Sequence, residues 1–145
     1  ARCESNEMFK YVLNDQSVGA FAGKVLVKEN CPRTVAYQGN RNIVASADAK
    51  MYSKPQLEIY TDDVKCSHGS ATGQLNEEAL FYMRSRGISE AEARQLLMQA
   101  FMSDVIDAVR LPALKDRLHH LVEKRFRGQL AMCADCTAAN CAAAK

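Results

Sequence analysis

The sequence predicts a β plus α fold, with a strand-rich region up to residue 73 and a helical region from residue 74. Residues 8–73 hold twelve Val, Ile and Thr residues and five of the seven glycines, which is typical of short strands and turns. Beyond residue 74 apolar side chains recur with the 3.6-residue period of amphipathic helices. We expect a β domain over residues 1–73, a helical domain over residues 74–128 and an Ala- and Cys-rich tail over residues 129–145.

The β region contains short alternating segments separated by polar turns. The expected strands include Lys24–Val27, Thr34–Tyr37, Gln56–Tyr60 and Val64–Cys66, and the expected turns are Glu29–Asn30, Gln38–Asn40 and Thr61–Asp63. This spacing suits a sandwich, a barrel or a β-helix. Asp48–Met51 and Asp63–Cys66 share one pattern of acid, apolar, Lys, apolar. This echo favours the β-helix, because solenoid coils stack similar segments.

The helical region carries clear start and stop signals. Asn76 can cap a helix over Glu77–Arg86, with two acids in its first turn, and Gly87 can end it. Ser89 opens a second helix through a capping box, and Pro112 suits the first turn of a third. The boundary with the β region is expected at Gly69–Gly73.

Length and charge exclude several classes of protein. The 145 residues suit one domain or one domain with a small appendage, and the net charge is only +2. Residues 1–73 carry 9 basic and 8 acidic side chains and residues 74–145 carry 10 and 9, so no nucleic-acid-binding face is expected. No apolar run approaches the roughly 20 residues of a membrane span, so we expect a cytoplasmic protein without a membrane partner.

The beginning of the chain suggests a piece of a longer protein. It begins with Ala1 instead of Met, and a strand-like segment, Met8–Leu13, follows almost at once. An open end of a solenoid exposes unpaired strand edges. We therefore expect the isolated chain to form a homodimer through that end.

Cys66 and His68 form the first candidate site. Residues two apart on a strand point to the same face, about 7 Å from each other. A thiolate beside an imidazole can bind iron or zinc, and the same pair could act as nucleophile and base. The alternative is a buried thiol at the end of a strand, with the histidine capping it against the turn.

Three cysteines near the end of the chain form a second candidate. Cys133 and Cys136 have the C-x-x-C spacing of redox and zinc sites, and Cys141 follows. A zinc ribbon needs a second pair of ligands, and a thioredoxin-type site needs the motif to open a helix after a strand. Structural or incidental thiols are therefore the alternative to a metal or redox role.

The helix over Glu77–Arg86 is more apolar than one buried face requires. Apolar side chains run almost all round it from Ala79 to Met83. Either the β region and the next helix both cover it, or it presents a surface that docks another protein.

Three segments of the sequence carry a family resemblance. They are Lys54–Tyr60 (KPQLEIY), Asp62–Gly69 (DDVKCSHG) and Gly73–Ile88 (GQLNEEALFYMRSRGI). In these segments the chain resembles the SufB/SufD family of the SUF iron–sulfur cluster assembly system, in particular its SufD members. The resemblance extends over roughly residues 19–110.

The resemblance implies a fold and a set of partners. It implies the end of a right-handed parallel β-helix followed by a C-terminal helical domain, pairing with a SufB-like paralogue and docking of the ABC-type ATPase SufC. His68 and Cys66 would bind iron or a nascent cluster at the SufB interface, and no cofactor would stay bound to this chain alone. The residues expected to dock SufC are Leu80, Phe81, Tyr82, Arg84, Arg86 and Ile88.

Two functions of different class follow. The first is a scaffold subunit that is not an enzyme, since the sequence has no Gly-x-x-x-x-Gly-Lys-Ser/Thr phosphate-binding loop. The second is a stand-alone metal- or thiol-exchange protein that uses Cys66 with His68 or the group Cys133, Cys136 and Cys141. Stoichiometric metal in the isolated chain would favour the second.

Overall fold

A computed structural model describes residues 3–129 of the chain. Within these residues the chain forms five strands followed by three helices. The strands are β1 (Glu4–Leu13), β2 (Val18–Val27), β3 (Val35–Val44), β4 (Lys50–Ile59) and β5 (Lys65–Gly73). The helices are α1 (Glu77–Ser85), α2 (Glu90–Asp107) and α3 (Pro112–Phe126). The predicted β plus α class is confirmed.

The strands form two parallel sheets, one with the order β1-β3-β5 and one of β2 and β4. In the first sheet Glu4 pairs with Val35 and Val35 with Lys65, and in the second Val18 pairs with Lys50. Each strand therefore pairs with the next strand but one along the chain. Consecutive strands lie in alternate sheets, so one full repeat of the structure contains two strands. The sequence echo relates the starts of β4 and β5, which are consecutive strands, and therefore spans about half of one repeat.

The two sheets bury side chains between their inner faces. The ring of Phe21 on β2 lies 5.0 Å from that of Phe9 and 6.4 Å from that of Tyr11, both on β1. β2 also lies close to the side chain of Leu13 on β1, which favours a glycine at position 19. A Cβ at Gly19 would lie only 2.7 Å from a methyl group of Leu13. Aromatic packing and small residues thus hold one end of the interior closed.

On β3, in the same rows as Phe9 and Tyr11, the interior is polar. Asn40 is fully buried, and its amide and that of Asn42 each donate to the other's oxygen, at 3.0 and 2.8 Å. The Asn40 oxygen also accepts from the hydroxyls of Ser53 at 2.8 Å and Ser70 at 3.2 Å. Asn42 donates to Thr72 at 3.1 Å. We call these five residues the amide ladder; it connects β3 with both β4 and β5.

One predicted turn is wrong. The turn predicted at Gln38–Asn40 lies inside β3, because its amides find partners across the sheets and can be buried. β5 continues through Gly69 to Gly73, the last residue of the predicted β domain, and its Ser70 and Thr72 contact the ladder. The connection to the helices is residues 74–76.

The predicted helix signals are confirmed. The side chain of Asn76 accepts a hydrogen bond from the Ala79 amide at 3.0 Å and caps α1. Gly87 follows the helix with a φ of 89°, a left-handed conformation that glycine adopts without strain. Ser89 accepts from the Glu92 amide at 3.3 Å, and α3 begins at Pro112.

The chain divides into two compact units, residues 1–98 and residues 99–145. In the first, Leu75, Leu80 and Ala93 are buried, and Arg94 of α2 donates to the carbonyl of Ala45, just after β3, at 3.3 Å. In the described part of the second unit, the Oδ1 atom of Asp107 lies 3.6 Å from Nζ of Lys115 and 3.3 Å from Nε2 of His119. Within residues 3–129, no helix combines the length and apolar character needed to cross a membrane.

Replacement of Asn40 by alanine tests the amide ladder. The variant leaves the buried side-chain oxygen of Asn42 without its donor, which costs about 1–3 kcal/mol of unfolding free energy. Urea denaturation followed by circular dichroism measures the loss. The matched control is Asn6→Ala on the exposed face of β1, which should change stability by less than about 0.5 kcal/mol. Equal losses in both variants would contradict a structural role for the ladder.

Candidate functional site

Cys66 and His68 lie on β5, at the edge of the three-stranded sheet. Their partners across the sheet are Ala36 and Gln38, both buried residues of β3. The two side chains therefore share the inner face, as the two-residue spacing predicts. Cys66 is a half-buried free thiol and His68 is exposed. The alternative in which the strand ends at Cys66 is wrong, because β5 continues to Gly73.

The exposure of β5 follows from the number of strands in each sheet. The described residues place three strands in one sheet and two in the other. β4 is the last strand of the facing sheet, so no further described strand covers the inner face of β5. Only Cys66 of this strand is even half-buried. The inner face of β5 is lined by Cys66, His68, Ser70 and Thr72. It is a polar surface with one thiol and one imidazole.

A row of polar side chains leads from His68 into the protein. Glu7 pairs with Gln38, and Gln38 pairs with His68. The amide nitrogen of Gln38 donates to the Glu7 carboxylate at 2.9 Å. Sequence reasoning missed Glu7 and Gln38, although positions one full repeat apart occupy one row in these sheets. Doubling the 15-residue interval of the sequence echo leads from His68 to Gln38, whereas Glu7 lies 31 residues before Gln38.

The predicted docking residues divide between the core and the surface. Leu80 is only 3% exposed and fixes α1 to the interior. Phe81 and Tyr82, at 74% and 59% exposed, face outward, so the alternative in which neighbours cover the helix all round is wrong. Arg84 lies 3.5 Å from Glu90, and Ile88 is half-buried.

Arg86 orders the exposed face of α1. Its guanidinium lies 5.3 Å from the centre of the Tyr82 ring and donates to the Tyr82 hydroxyl at 3.2 Å. Cation–π contact of this kind holds both side chains in one arrangement. The surface formed by Phe81, Tyr82, Arg84, Arg86 and Ile88 is called the α1 surface below.

Candidate metal ligands are few in the part of the chain that the structure describes. Among residues 3–129, no three His, Cys, Asp or Glu side chains are placed to hold one ion. Cys66 and His68 supply two ligands of the kinds that iron accepts, and further ligands must come from elsewhere. The group Cys133, Cys136 and Cys141 lies outside the described residues.

Comparison with known proteins identifies the family. Residues 1–101 match the family described as "SUF system FeS cluster assembly, SufBD core domain". The chain belongs to the SufBD family. The resemblance predicted from the motifs of residues 54–88 is thereby confirmed.

Relatives span several groups of organisms. The chain is 40% identical over 121 residues to the iron–sulfur cluster assembly SufBD family protein slr0076 of Synechocystis, covering 83% of this chain and 27% of the relative. It is 36% identical over 126 residues to the iron–sulfur cluster assembly protein SufD of Escherichia coli, covering 87% and 30%. It is 36% identical over 123 residues to the chloroplastic protein ABCI7 of Arabidopsis thaliana, covering 84% and 26%. The chain thus spans less than a third of the length of these relatives.

Because α1 has a buried and an exposed face, two neighbouring substitutions should differ strongly in their effect on the unfolding free energy. Leu80→Ala should lower the unfolding free energy by about 2–5 kcal/mol, because it opens a cavity in the interior. Phe81→Ala should change it by less than about 0.5 kcal/mol, because the ring is exposed. Urea denaturation of both variants measures this, and a large loss in Phe81→Ala would mean that this ring is packed.

Proposed function

We propose that this SufBD-family chain is part of a SufD-like scaffold subunit that pairs with a SufB-like paralogue and docks the ATPase SufC. In this proposal it is cytoplasmic, has no turnover of its own and handles an iron–sulfur cluster, or iron, as cargo. The observation that carries the proposal is the joint exposure of His68 on an edge strand and of Phe81 and Tyr82 on the helix that follows.

The two sheets support a role for the β region in pairing. Their parallel strands repeat at a regular interval, and we propose that they are the last coils of a right-handed β-helix. Among the described residues β5 pairs only with β3, which leaves one of its edges open. An open strand edge can add a strand from another chain. In this proposal the SufB-like paralogue occupies it, and the homodimer of the isolated chain forms at the opposite edge of the sheet, on β1.

The chemistry of the edge suits transient binding of iron. The imidazole of His68 offers a nitrogen and the thiol of Cys66 a sulfur, both ligands that iron accepts. With no third ligand nearby in residues 3–129, iron held here needs a thiolate or similar group from the partner. A shared, incomplete ligand set suits a cluster that is passed on, because neither chain holds it alone.

The α1 surface suits a protein partner. Exposed aromatic and arginine side chains are the residues that most often dominate binding at protein interfaces. Tyr82 and Arg86 are already held together in the free chain, so binding loses less conformational entropy at these side chains. The missing phosphate-binding loop agrees with an ATPase activity that resides in the partner.

Docking of SufC can be tested on the α1 surface. Phe81→Ala and Tyr82→Ala should each weaken binding of this chain to SufC from the same organism by at least tenfold, ~1.4 kcal/mol, in a calorimetric titration. Tyr52→Ala is the matched control, since Tyr52 lies on β4 and is 62% exposed. Unchanged affinity in the two α1 variants would refute docking at this surface.

Iron handling can be tested at His68. The chain is assembled with its SufB-like paralogue and SufC, reconstituted with ferrous iron and sulfide, and assayed for bound iron. His68→Ala should lower iron affinity at least about tenfold, because loss of even a ligand's hydrogen-bond partner has an effect of that size. His120→Ala, an exposed histidine of α3, is the control. Equal iron in both variants, with complexes intact by gel filtration, would exclude His68 as a ligand.

A further inference from the structure

Gln38 is the most buried polar residue next to His68. It lies between Glu7 and His68 in one row of the β1-β3-β5 sheet and is 4% exposed. Adjacent strands are about 4.8 Å apart, so side chains in one row on one face are neighbours. The Gln38 side chain is therefore in position to act on the imidazole of His68.

The two ends of the Gln38 amide have different surroundings. Its nitrogen donates to Glu7 on β1 at 2.9 Å. Its oxygen is buried and accepts no hydrogen bond from residues 3–129. Buried acceptors are rarely left unpaired in native proteins, because desolvation is then not compensated. This oxygen therefore needs a donor.

Of Gly23, Glu7 and His68, the neighbours of Gln38 on other strands, only His68 carries a side-chain donor. On the facing sheet the Gln38 oxygen meets Gly23, where a Cβ would lie 2.4 Å from it, so the space exists only because that residue has no side chain. On β1 the neighbour is the carboxylate of Glu7, which accepts hydrogen bonds and donates none when ionised. On β5 the neighbour is His68, whose ring carries an N–H.

We propose that Gln38 is a positioning residue for His68: its oxygen accepts the N–H of one ring nitrogen and leaves the other free to bind iron. His68 is exposed, so its ring can turn inward to make this bond. Because Glu7 holds the amide nitrogen, the oxygen is the end of the amide that is left to accept this bond. Metal-binding histidines usually donate their second N–H to such an acceptor, which fixes tautomer and orientation. The proposal rests on the proposed function for the part that concerns iron.

The ring tautomer can be measured without iron. Nitrogen-15 labelling of the three histidines of the full chain, at about pH 8.5 where imidazoles are neutral, resolves which nitrogen of each ring carries the proton. A His68→Ala sample assigns the signal. One tautomer of His68 should dominate, and Gln38→Met should change the tautomer ratio roughly three- to tenfold, the equivalent of one neutral hydrogen bond.

An exchange variant keeps the test valid if Gln38→Met does not fold. In Glu7→Gln with Gln38→Glu, the new amide on β1 can donate to the new carboxylate on β3, whose second oxygen still faces His68. This double variant should keep the wild-type tautomer. Asn6→Ala, on the exposed face of β1, should also leave it unchanged.

Iron retention by the reconstituted complex separates this proposal from the proposed function. Lower retention in Gln38→Met, restored in the exchange variant and accompanied by the tautomer change, supports positioning. An unchanged tautomer ratio of His68 in Gln38→Met overturns the proposal. A tautomer ratio in the exchange variant that differs from that of the wild type overturns it too. Full iron in Gln38→Met when His68→Ala has lost iron also overturns it. A tautomer change with full iron in both Gln38→Met and His68→Ala supports the hydrogen bond and refutes iron binding by His68.

Discussion

Strand register is the constraint on which the rest of the structure depends. Each strand pairs with the next but one along the chain, so residues distant in sequence form rows across the sheet. A slip of one residue would turn a whole strand over and exchange its inner and outer faces. The amide ladder opposes such a slip, because Asn40 meets Ser53 and Ser70 only when β3, β4 and β5 are all in register. His68 owes its neighbours to the same alignment.

Sequence reasoning recovered the features that local chemistry decides. The cap at Asn76, the stop at Gly87 and the change of period near residue 74 were predictable because each depends on residues within one helical turn. The shared face of Cys66 and His68 was also predictable, since it follows from the pleat of a strand. Family motifs on β4, β5 and α1 then suggested the proposed partners, which no pattern of spacing contains.

The features that were missed depend on distant residues. Gln38, Gly39 and Asn40 have the composition of a turn, and only partners on β1, β4 and β5 make the two amides suitable for an interior. Likewise, the exposure of His68 depends on how many strands each sheet contains, which the identity of its neighbours in sequence does not reveal. Non-local hydrogen bonding is the physical reason why strand boundaries were the weakest part of the prediction.

The order of strands in the larger sheet makes the surroundings of His68 depend on correct folding of the whole sheet. β5 joins the protein through β3, and β3 also pairs with β1, so the row that ends at His68 is complete only when all three strands are seated. A chain with a misplaced β3 would lack the neighbours of this imidazole, however well its helices had formed. The surroundings of one residue at the edge of the sheet thus report whether all three strands are correctly placed.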